Sequence, residues 1–311
     1  RVAARPTERF FYGWVIVLVG AVLTFLGTGF YSYSRGVFLP SLAEELAGGS
    51  RFEIAMGFSI AAVTSALVAP FIGGILDKYS PKTVILVGIG FVTGSYLLLS
   101  FCQNLIQFYL IVGLGMELGM TCMGNLAWHR TIISWFDHWR GRAISLGVLG
   151  ASLAGVVMPP LVTSLVEAIG WRSAFVVFAI IVPSILIPLV VYFLKNRPEE
   201  IGEVRDGLAY SEAHKTTEVE DQAESRIWHW KEMIRFPAFW SIGLMFGAMG
   251  CVYSAVMLHL FGHLTDIGLP GSEAAYILSA TALFAALGKP VVGWMSDFFG
   301  ARVTIWMALL F

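Results

Sequence analysis

The sequence predicts an all-α integral membrane protein whose helices form two bundles joined by a polar linker. The first observation is composition, because 57% of the residues are hydrophobic and 13% are charged, whereas a soluble domain carries about 25% charged residues. The second observation is a series of apolar runs long enough to cross a bilayer. The third is a loop motif that occurs twice, at matching places in the two halves of the chain.

Eight apolar runs reach the length of about 20 residues that a membrane-spanning helix needs. We expect helices, because each span must satisfy its own backbone hydrogen bonds and the alternating pattern of barrel strands is missing. Since the chain starts at Arg1 and stops at Phe311 inside a ninth run, we expect a fragment, or a chain trimmed at both ends. The predicted spans are 11–34, 54–76, 83–102, 105–128, 143–166, 173–194, 236–263 and 274–296, and the ninth begins at 303.

A polar stretch over 195–235 separates the first six spans from the rest. Its low hydrophobicity and scattered charges are typical of a flexible linker. It ends in Ile227-Trp228-His229-Trp230-Lys231, which we expect to form a short helix at the membrane interface. The predicted domains are an N-terminal six-helix bundle over 1–194, the linker over 195–235, and a partial C-terminal bundle over 236–311.

The distribution of Lys and Arg predicts the orientation of the spans. If the N-terminus is cytoplasmic, the loops on the opposite side carry only Arg35, Arg51 and Arg172, and the cytoplasmic segments carry the other loop cations. Cytoplasmic loops are the ones enriched in Lys and Arg. We therefore expect a multi-pass protein of the plasma or inner membrane with a cytoplasmic N-terminus.

The repeated loop follows the second span and, in its other copy, the eighth. A Gly four residues before an Asp shares its helical face and lets another helix approach closely. The Asp can receive a helix N-terminus or a cation. We interpret the loop as a gating element, and the alternative is an ordinary charged turn. Its residues are Gly73, Asp77 and Lys82 in the first copy, and Gly293, Asp297 and Arg302 in the second.

This loop resembles the one between the second and third helices of the major facilitator superfamily, which recurs between the eighth and ninth. The resemblance covers nearly all of the chain except the linker, and it implies a major-facilitator-type fold of two bundles that moves its substrate by alternating access. Other motifs resemble the monocarboxylate-porter and oxalate/formate-exchanger branch: Tyr12-Gly13-Trp14, Trp135-Phe136 with Arg140-Gly141-Arg142-Ala143, Gly170-Trp171-Arg172, and Arg197-Pro198-Glu199-Glu200-Ile201-Gly202.

Two ionisable side chains lie deep in predicted spans, where charges are costly and usually functional. Glu117 lies near the bilayer midplane, where it could carry a proton or form a structural hydrogen bond to a neighbouring helix. Lys289 lies roughly 12 Å inside the eighth span at about 1.5 Å per residue, and snorkelling is the alternative. Lys289-Pro290-Val291-Val292-Gly293 resembles the Arg-Pro-x-x-Gly of the branch, which implies that Lys289 binds a substrate carboxylate.

The remaining candidates lie toward the outer ends of spans 1 and 7. Arg35 follows Tyr31 and Tyr33, so this group could contact substrate, or Arg35 could be an interfacial cation between aromatic anchors. His259 stands four residues before His263, with Asp266 following. We favour a gate or substrate contact there over a metal site, because the His-Glu-x-x-His pattern is missing.

Together these features favour a secondary active transporter of a small organic anion, a monocarboxylate or dicarboxylate, by symport or antiport. The sequence has no Walker motif, no Gly-x-Ser-x-Gly and no His-Glu-x-x-His, so we expect neither ATP-driven transport nor an enzyme. The alternatives are efflux of an apolar compound, sugar transport, and a transport-inactive sensor or scaffold. We expect a monomer in contact with membrane lipid, without a cofactor, a metal or a nucleic-acid partner, and with the proton as a candidate coupling ion.

Overall fold

The computed structural model describes residues 11–137, 139–207, 232, 234–299 and 303, and within these ranges its regular structure is helical, without a strand. The described helices form seven stretches that are long and apolar enough to cross a membrane. The all-helical membrane class is therefore confirmed. Eight spans plus the start of a ninth remain a prediction, and so does the division into two bundles. The predicted interfacial helix over 227–231 lies outside the described residues.

The first helical column is longer than the sequence predicts. Helix α1 (Gly13–Thr28) continues through a π-helix (Gly29–Tyr33) into α2 (Arg35–Leu46). The prediction that the first span ends beside Arg35 is therefore wrong. The helix continues because the residues after Arg35 are apolar and are buried against neighbouring helices. These buried residues include Val37, Phe38, Leu39, Leu42 and Ala43.

A turn of two residues joins α3 (Arg51–Lys78) to α4 (Pro81–Ser100). The Ser80 hydroxyl accepts a hydrogen bond of 3.2 Å from the Thr83 N–H, and Pro81 occupies the first helical position, where its fixed φ suits a helix. Local sequence chemistry therefore starts α4 immediately after α3 ends, which matches the short turn expected for the repeated loop.

The fourth stretch, Leu105–Trp135, is not a uniform helix. It breaks at Gly124, whose backbone is extended at φ −78° and ψ −158°. This interrupted geometry places Glu117 at the start of a new helical segment. The segments are α5 (Leu105–Leu110), a π-helix (Ile111–Met116), α6 (Glu117–Met123) and α7 (Asn125–Trp135).

Helix α8 (Arg140–Pro188) and the π-helix that follows it (Leu189–Phe193) make a stretch of 54 residues. That is far more than the 17–25 residues of one crossing. The stretch breaks at Gly170, with φ 76° and ψ 161°, a conformation open mainly to glycine. Two arms result, 140–169 and 171–188, at the positions of two predicted spans.

Two short 3-10 turns follow, Pro198–Ile201 and Arg205–Gly207. The Tyr12 N–H donates to Glu203 at 3.1 Å and the Tyr12 hydroxyl donates to the Phe193 carbonyl at 2.9 Å. Burial, followed by the nearby Glu203 charge, raises the pKa of the Tyr12 hydroxyl. Hydrogen bonds thus connect the segment after α8 to the beginning of α1.

The last described helices are α9 (Pro237–Asp266) and α10 (Gly271–Phe299). Helix α9 packs on α2 through its second half, where Leu258, Phe261 and Gly262 are buried. Helix α10 packs on α8. Because most of α9 before Leu258 is exposed, its contacts with the described residues lie mainly in its second half.

Glycines set close helix contacts in the core, because a residue without a side chain lets two helices approach. A Cβ placed on Gly150 would lie 1.9 Å from the Ala21 carbonyl oxygen of α1, and one on Gly119 would lie 2.7 Å from the Val92 backbone nitrogen of α4. The core therefore lies where α8 crosses α1 and where α6 crosses α4.

Candidate functional site

A hydrogen bond between two predicted site residues forms the centre of the candidate site. The Tyr31 hydroxyl donates to Glu117 Oε2 at 2.7 Å. Both side chains are partly buried, and they come from the first column and from α6. Glu117 thus makes the hydrogen bond to a neighbouring helix that the sequence left open, and the Ser65 hydroxyl of α3 is also close enough to hydrogen-bond its carboxylate.

Arg35 lies one helical turn beyond Tyr31, against aromatic rings. Its guanidinium carbon is 5.9 Å from the centre of the Tyr31 ring and 5.7 Å from that of Phe58, within the range of cation–π attraction. Its Nε is buried and has no hydrogen-bond partner in the described part of the chain. Aromatic and aliphatic residues line the rest of this chamber, including Phe30, Phe38, Tyr96, Phe108 and Phe175.

Within residues 11–137, 139–207 and 234–288 the Arg35 guanidinium forms no ion pair, and no carboxylate is within hydrogen-bond distance of it. A half-buried cation without an anion is unfavourable unless another charge or water meets it. The Glu117 carboxylate interacts with Arg35 through space but forms no hydrogen bond with it, so the guanidinium keeps donors for an anionic ligand.

A second space also borders Tyr31. This cavity of about 310 Å³ is at the lower end of the range for small-molecule sites, about 300–1,000 Å³. Tyr31 and Glu117 form part of its wall, so Tyr31 is shared by the cavity and the Arg35 chamber. We call this space the Glu117 cavity. Its other polar wall residues are Thr24, Ser32, Ser65, Thr121 and Asn125.

Irregular helix geometry brings these residues together. Tyr31 and Tyr33 belong to the π-helix Gly29–Tyr33, and Glu117 directly follows the π-helix Ile111–Met116. A π-helical turn shifts the side chains after it around the helix axis, and such turns are frequent at functional sites. The apolar sequence of these spans carries no signal for this shift, so the contact between Tyr31 and Glu117 could not be read from spacing.

Tyr33 makes a different contact from Tyr31. Its hydroxyl accepts a hydrogen bond of 3.0 Å from the Tyr253 hydroxyl of α9. A Cβ on Gly155 of α8 would lie 2.6 Å from the Tyr33 ring. Tyr33 therefore occupies the junction of the first column with α8 and α9, and sequence reasoning missed Tyr253 as its partner.

His259 lies exposed on α9 and forms no hydrogen bond within the described residues. Asp266 does not complete a cluster with it, because both carboxylate oxygens of Asp266 accept from the Arg51 guanidinium, one of them at 2.8 Å. The described residues contain no group of three His, Cys, Asp or Glu side chains that could hold a metal ion. The contact at this end is instead an ion pair between α3 and α9.

The first repeated loop has a partner that the sequence did not predict. Arg130 of α7 donates to Asp77 Oδ1 at 2.5 Å, and Arg130 is not part of the repeated motif. Lys82 instead donates to the Val191 carbonyl at 2.6 Å. A Cβ on Gly73 would meet nothing within 4 Å. The close helix approach expected at Gly73 is thus not found in the described part of the chain.

The side chains of the second copy of the loop lie outside the described residues. Lys289, Gly293 and Asp297 lie in α10, whose backbone is described there without their side chains, and Arg302 lies outside the described residues. Their roles, and the gating role of Gly73, Asp77 and Lys82, remain predictions.

Comparison with known proteins identifies the family. The sequence pattern of the Major Facilitator Superfamily matches residues 22–311. The chain belongs to the major facilitator superfamily. This is a family of multi-pass membrane transporters, and the match confirms the resemblance noted in the loop motif.

Several curated relatives of this major facilitator chain are transporters. It is 23% identical over 96% of its length to "Uncharacterized MFS-type transporter YcxA" of Bacillus subtilis (strain 168), 68% of which is covered. It is 25% identical over 92% of its length to "Monocarboxylate transporter 13" of Bos taurus, 62% of which is covered. It is 24% identical over 91% of its length to "Probable L-galactonate transporter" of Escherichia coli (strain K12), 60% of which is covered.

A solved structure gives the same fold. The bacterial homolog of the human lysosomal transporter Spinster, in an inward-facing and unoccupied conformation, aligns with a TM-score of 0.66 at 16% identity. The alignment covers 94% of this chain and 63% of that one. This likeness supports the major facilitator fold, and the chain spans about two thirds of the length of these proteins.

Proposed function

We propose that this protein is a secondary active transporter that moves a small organic anion across the membrane by alternating access. The observation that carries the proposal is the Arg35 guanidinium, which lies among aromatic rings without a hydrogen-bonded carboxylate in the described part of the chain. A cation inside a membrane span is unfavourable in free energy, and such residues are usually functional. A substrate carboxylate would neutralise it.

The names of two relatives support an organic anion. One is called a monocarboxylate transporter and another a probable L-galactonate transporter, and both of these compounds are carboxylates. The chain spans only 62% and 60% of their lengths, so substrate, coupling and direction of transport are proposals for the whole protein. Symport and antiport fit the fold equally, and Glu117, bonded to Tyr31, is the candidate proton carrier for a proton-coupled cycle.

Substituting Arg35 tests the proposal. In the protein expressed with its complete natural sequence, Arg35→Gln should weaken carboxylate binding about 10- to 150-fold, because a hydrogen bond to a charged group contributes about 1.5–3 kcal/mol. Arg35→Lys should retain part of the affinity, since it keeps the charge but not the planar fork. Affinity is measured by titration calorimetry in detergent, and initial uptake rates are measured in liposomes.

The control is Arg142→Gln, which removes an exposed arginine of α8. Thermal stability separates a binding role of Arg35 from a structural one. Removing an unpaired buried charge should leave the melting temperature unchanged or raise it, whereas removing a structural partner should lower it. Unchanged affinity for every carboxylate tested, with an intact fold, would refute the organic-anion proposal.

Lys289 is proposed as a second cation for the same anion, on the opposite half of the protein. Lys289→Gln should then abolish anion uptake, and Lys289→Arg should retain part of it. If Lys289 only balances Glu117, Lys289→Gln should lower thermal stability, and the double variant with Glu117→Gln should recover it.

A neutral sugar is the second candidate substrate. The hydroxyl-bearing wall of the Glu117 cavity favours it, because sugars are bound through hydrogen bonds to such groups. Under this alternative, Arg35→Gln would leave sugar affinity unchanged and no carboxylate would bind. Efflux of an apolar compound and a transport-inactive sensor or scaffold remain further alternatives, and liposome uptake tests both.

A further inference from the structure

We infer that the transported anion carries several hydroxyl groups, so that its carboxylate binds Arg35 while its hydroxylated body occupies the Glu117 cavity. This inference rests on the proposed function, because it assumes that Arg35 binds the substrate anion. It adds the chemical class of the rest of the molecule, which separates polyhydroxylated acids from carboxylates with an apolar body.

The argument begins with the hydrogen bonds that the cavity wall already makes. Thr24 donates its hydroxyl hydrogen to backbone carbonyls, at 2.8 Å to Gly147 and 3.0 Å to Ala21. Thr121 donates to the backbone carbonyl of Glu117 at 2.8 Å. The Tyr31 hydroxyl donates to Glu117 Oε2. Each of these hydroxyls has a single hydrogen, so the protein already uses the donors of all three.

The free capacity of the wall is therefore mainly that of an acceptor. The Glu117 carboxylate accepts from Tyr31 and lies within reach of the Ser65 hydroxyl, but its two oxygens and the hydroxyl oxygens of Thr24 and Thr121 keep further lone pairs. The Ser65 hydroxyl is also 3.3 Å from the Thr121 hydroxyl oxygen, so its one hydrogen goes to Glu117 or to Thr121 and its own lone pairs remain. A wall of this kind binds a ligand that brings its own donors.

Hydroxyl groups match this wall better than other donors do. A carboxylate has no hydrogen to donate and is repelled by an ionised Glu117, so the anionic end of a substrate does not belong in this cavity. A single ammonium group would meet Glu117 but would leave the acceptors of Thr24 and Thr121 unused. Several hydroxyls along one chain can each meet a different acceptor, and each can also accept from the Asn125 amide or the Ser32 hydroxyl.

The shared position of Tyr31 connects the two ends of such a ligand. Its ring faces the Arg35 guanidinium at 5.9 Å, and its hydroxyl is bonded to Glu117. The Arg35 chamber is otherwise apolar and the Glu117 cavity is polar. A molecule with a charged head and a polar body therefore fits the order of these groups along the first column, and an apolar carboxylate would place its chain against unpaired oxygens.

A set of probes with one carbon skeleton tests the inference. D-gluconate carries a carboxylate and hydroxyls, hexanoate has the carboxylate alone, and sorbitol has the hydroxyls alone. In the protein with its complete natural sequence, gluconate should bind at least about tenfold more tightly than hexanoate, since each added hydrogen bond to a charged or polar partner strengthens binding. Sorbitol should bind more weakly than gluconate.

Amino-acid substitutions test whether the Glu117 cavity causes the preference for gluconate over hexanoate. Ser65→Ala should reduce the preference for gluconate over hexanoate about 3- to 10-fold while hexanoate affinity stays constant, because one uncharged hydrogen bond is lost. The matched control is Ser59→Ala on the same helix, whose exposed hydroxyl donates to its own helix at the Ala55 carbonyl. Arg35→Gln should weaken gluconate and hexanoate equally.

The outcomes separate the two proposals. Equal affinity for gluconate and hexanoate would overturn the hydroxyl inference and leave the organic-anion function standing. Binding of sorbitol as tight as that of gluconate would overturn the assignment of the carboxylate to Arg35, and with it the proposed function. If 6-aminohexanoate bound more tightly than gluconate, the cavity would be an ammonium site and the inference would be wrong.

Discussion

The first helical column and α9 are similarly apolar but differ in how far the described residues cover them. In the most apolar window of Gly13–Leu46, 65% of the residues are buried within the protein, against 11% in Pro237–Asp266. Both are long helices that the sequence predicts as spans in the same way. The difference shows that an apolar pattern predicts removal from water, but does not distinguish contact with lipid from contact with other helices.

Single glycines show the same difference between the first column and α9. A Cβ on Gly20 of α1 would lie 1.7 Å from the Trp128 indole nitrogen, whereas one on Gly247 of α9 would meet nothing within 4 Å. Small residues permit close packing of helices, but a partner must be present to use them. Glycine spacing therefore indicates a capacity for close contact and does not establish the contact.

The largest expected effect comes from removing an indole ring in each environment. Trp128 is 1% exposed and lies between Gly20 and Gly147, whereas Trp240 of α9 is 57% exposed. Trp128→Ala should lower the free energy of unfolding by about 3–5 kcal/mol, because it leaves a large cavity. Trp240→Ala should lower it by about 1 kcal/mol or less. Denaturant unfolding in detergent measures both, and equal losses would show that burial does not separate the two helices.

The second largest expected effect on stability comes from adding a methyl group where two helices cross. Gly150→Ala should lower the free energy of unfolding by about 2–3 kcal/mol, because the new Cβ would lie 1.9 Å from the Ala21 carbonyl oxygen and force α1 away from α8. Gly247→Ala should be neutral or stabilising by up to about 1 kcal/mol, because alanine is the better helix former. A tolerated Gly150→Ala would contradict the close crossing of these helices.

The smallest effect concerns the ion pair that fastens α9 at its buried end. Asp266→Asn removes the partner of Arg51, and both groups are partly exposed to solvent. The loss of stability should be small and should disappear in high salt, because solvent and ions screen a pair at the surface. Melting temperatures at low and high salt measure it, with Asp137→Asn, which removes the partner of Arg140 within the first half, as the control. A loss that persists at high salt would contradict a screened surface pair.

Much of the fold was predictable because its causes are local. The composition and the length of the apolar runs predict a helical membrane protein. The Ser80-Pro81 pair predicts the start of α4. Helix ends were less predictable, because the column continues past Arg35 only through burial of the residues after it against distant helices. The break at Gly170 is a backbone conformation that glycine permits but that the sequence does not require.

The sequence singled out candidate residues of the site, but it did not indicate the contacts between them. Tyr31, Glu117 and Arg35 stood out as polar groups in apolar spans, yet their meeting depends on π-helical turns that leave no mark in the sequence. The Arg130 partner of Asp77 was visible only as a cation beside a span. Ser65 and Thr121 were missed, although hydroxyl groups in an apolar run are themselves a signal of helix–helix or ligand contact.

The length of the first column has a consequence for its fit to the bilayer. Its 34 residues span about 51 Å at about 1.5 Å per residue, whereas the hydrocarbon layer is about 30 Å thick. The excess requires the helix to tilt or to project beyond the lipid. Glu45, near the end of α2, accepts from the Trp171 indole at 2.7 Å and from Arg172. A projecting end would hold this contact at headgroup level, where lipid composition acts on it directly.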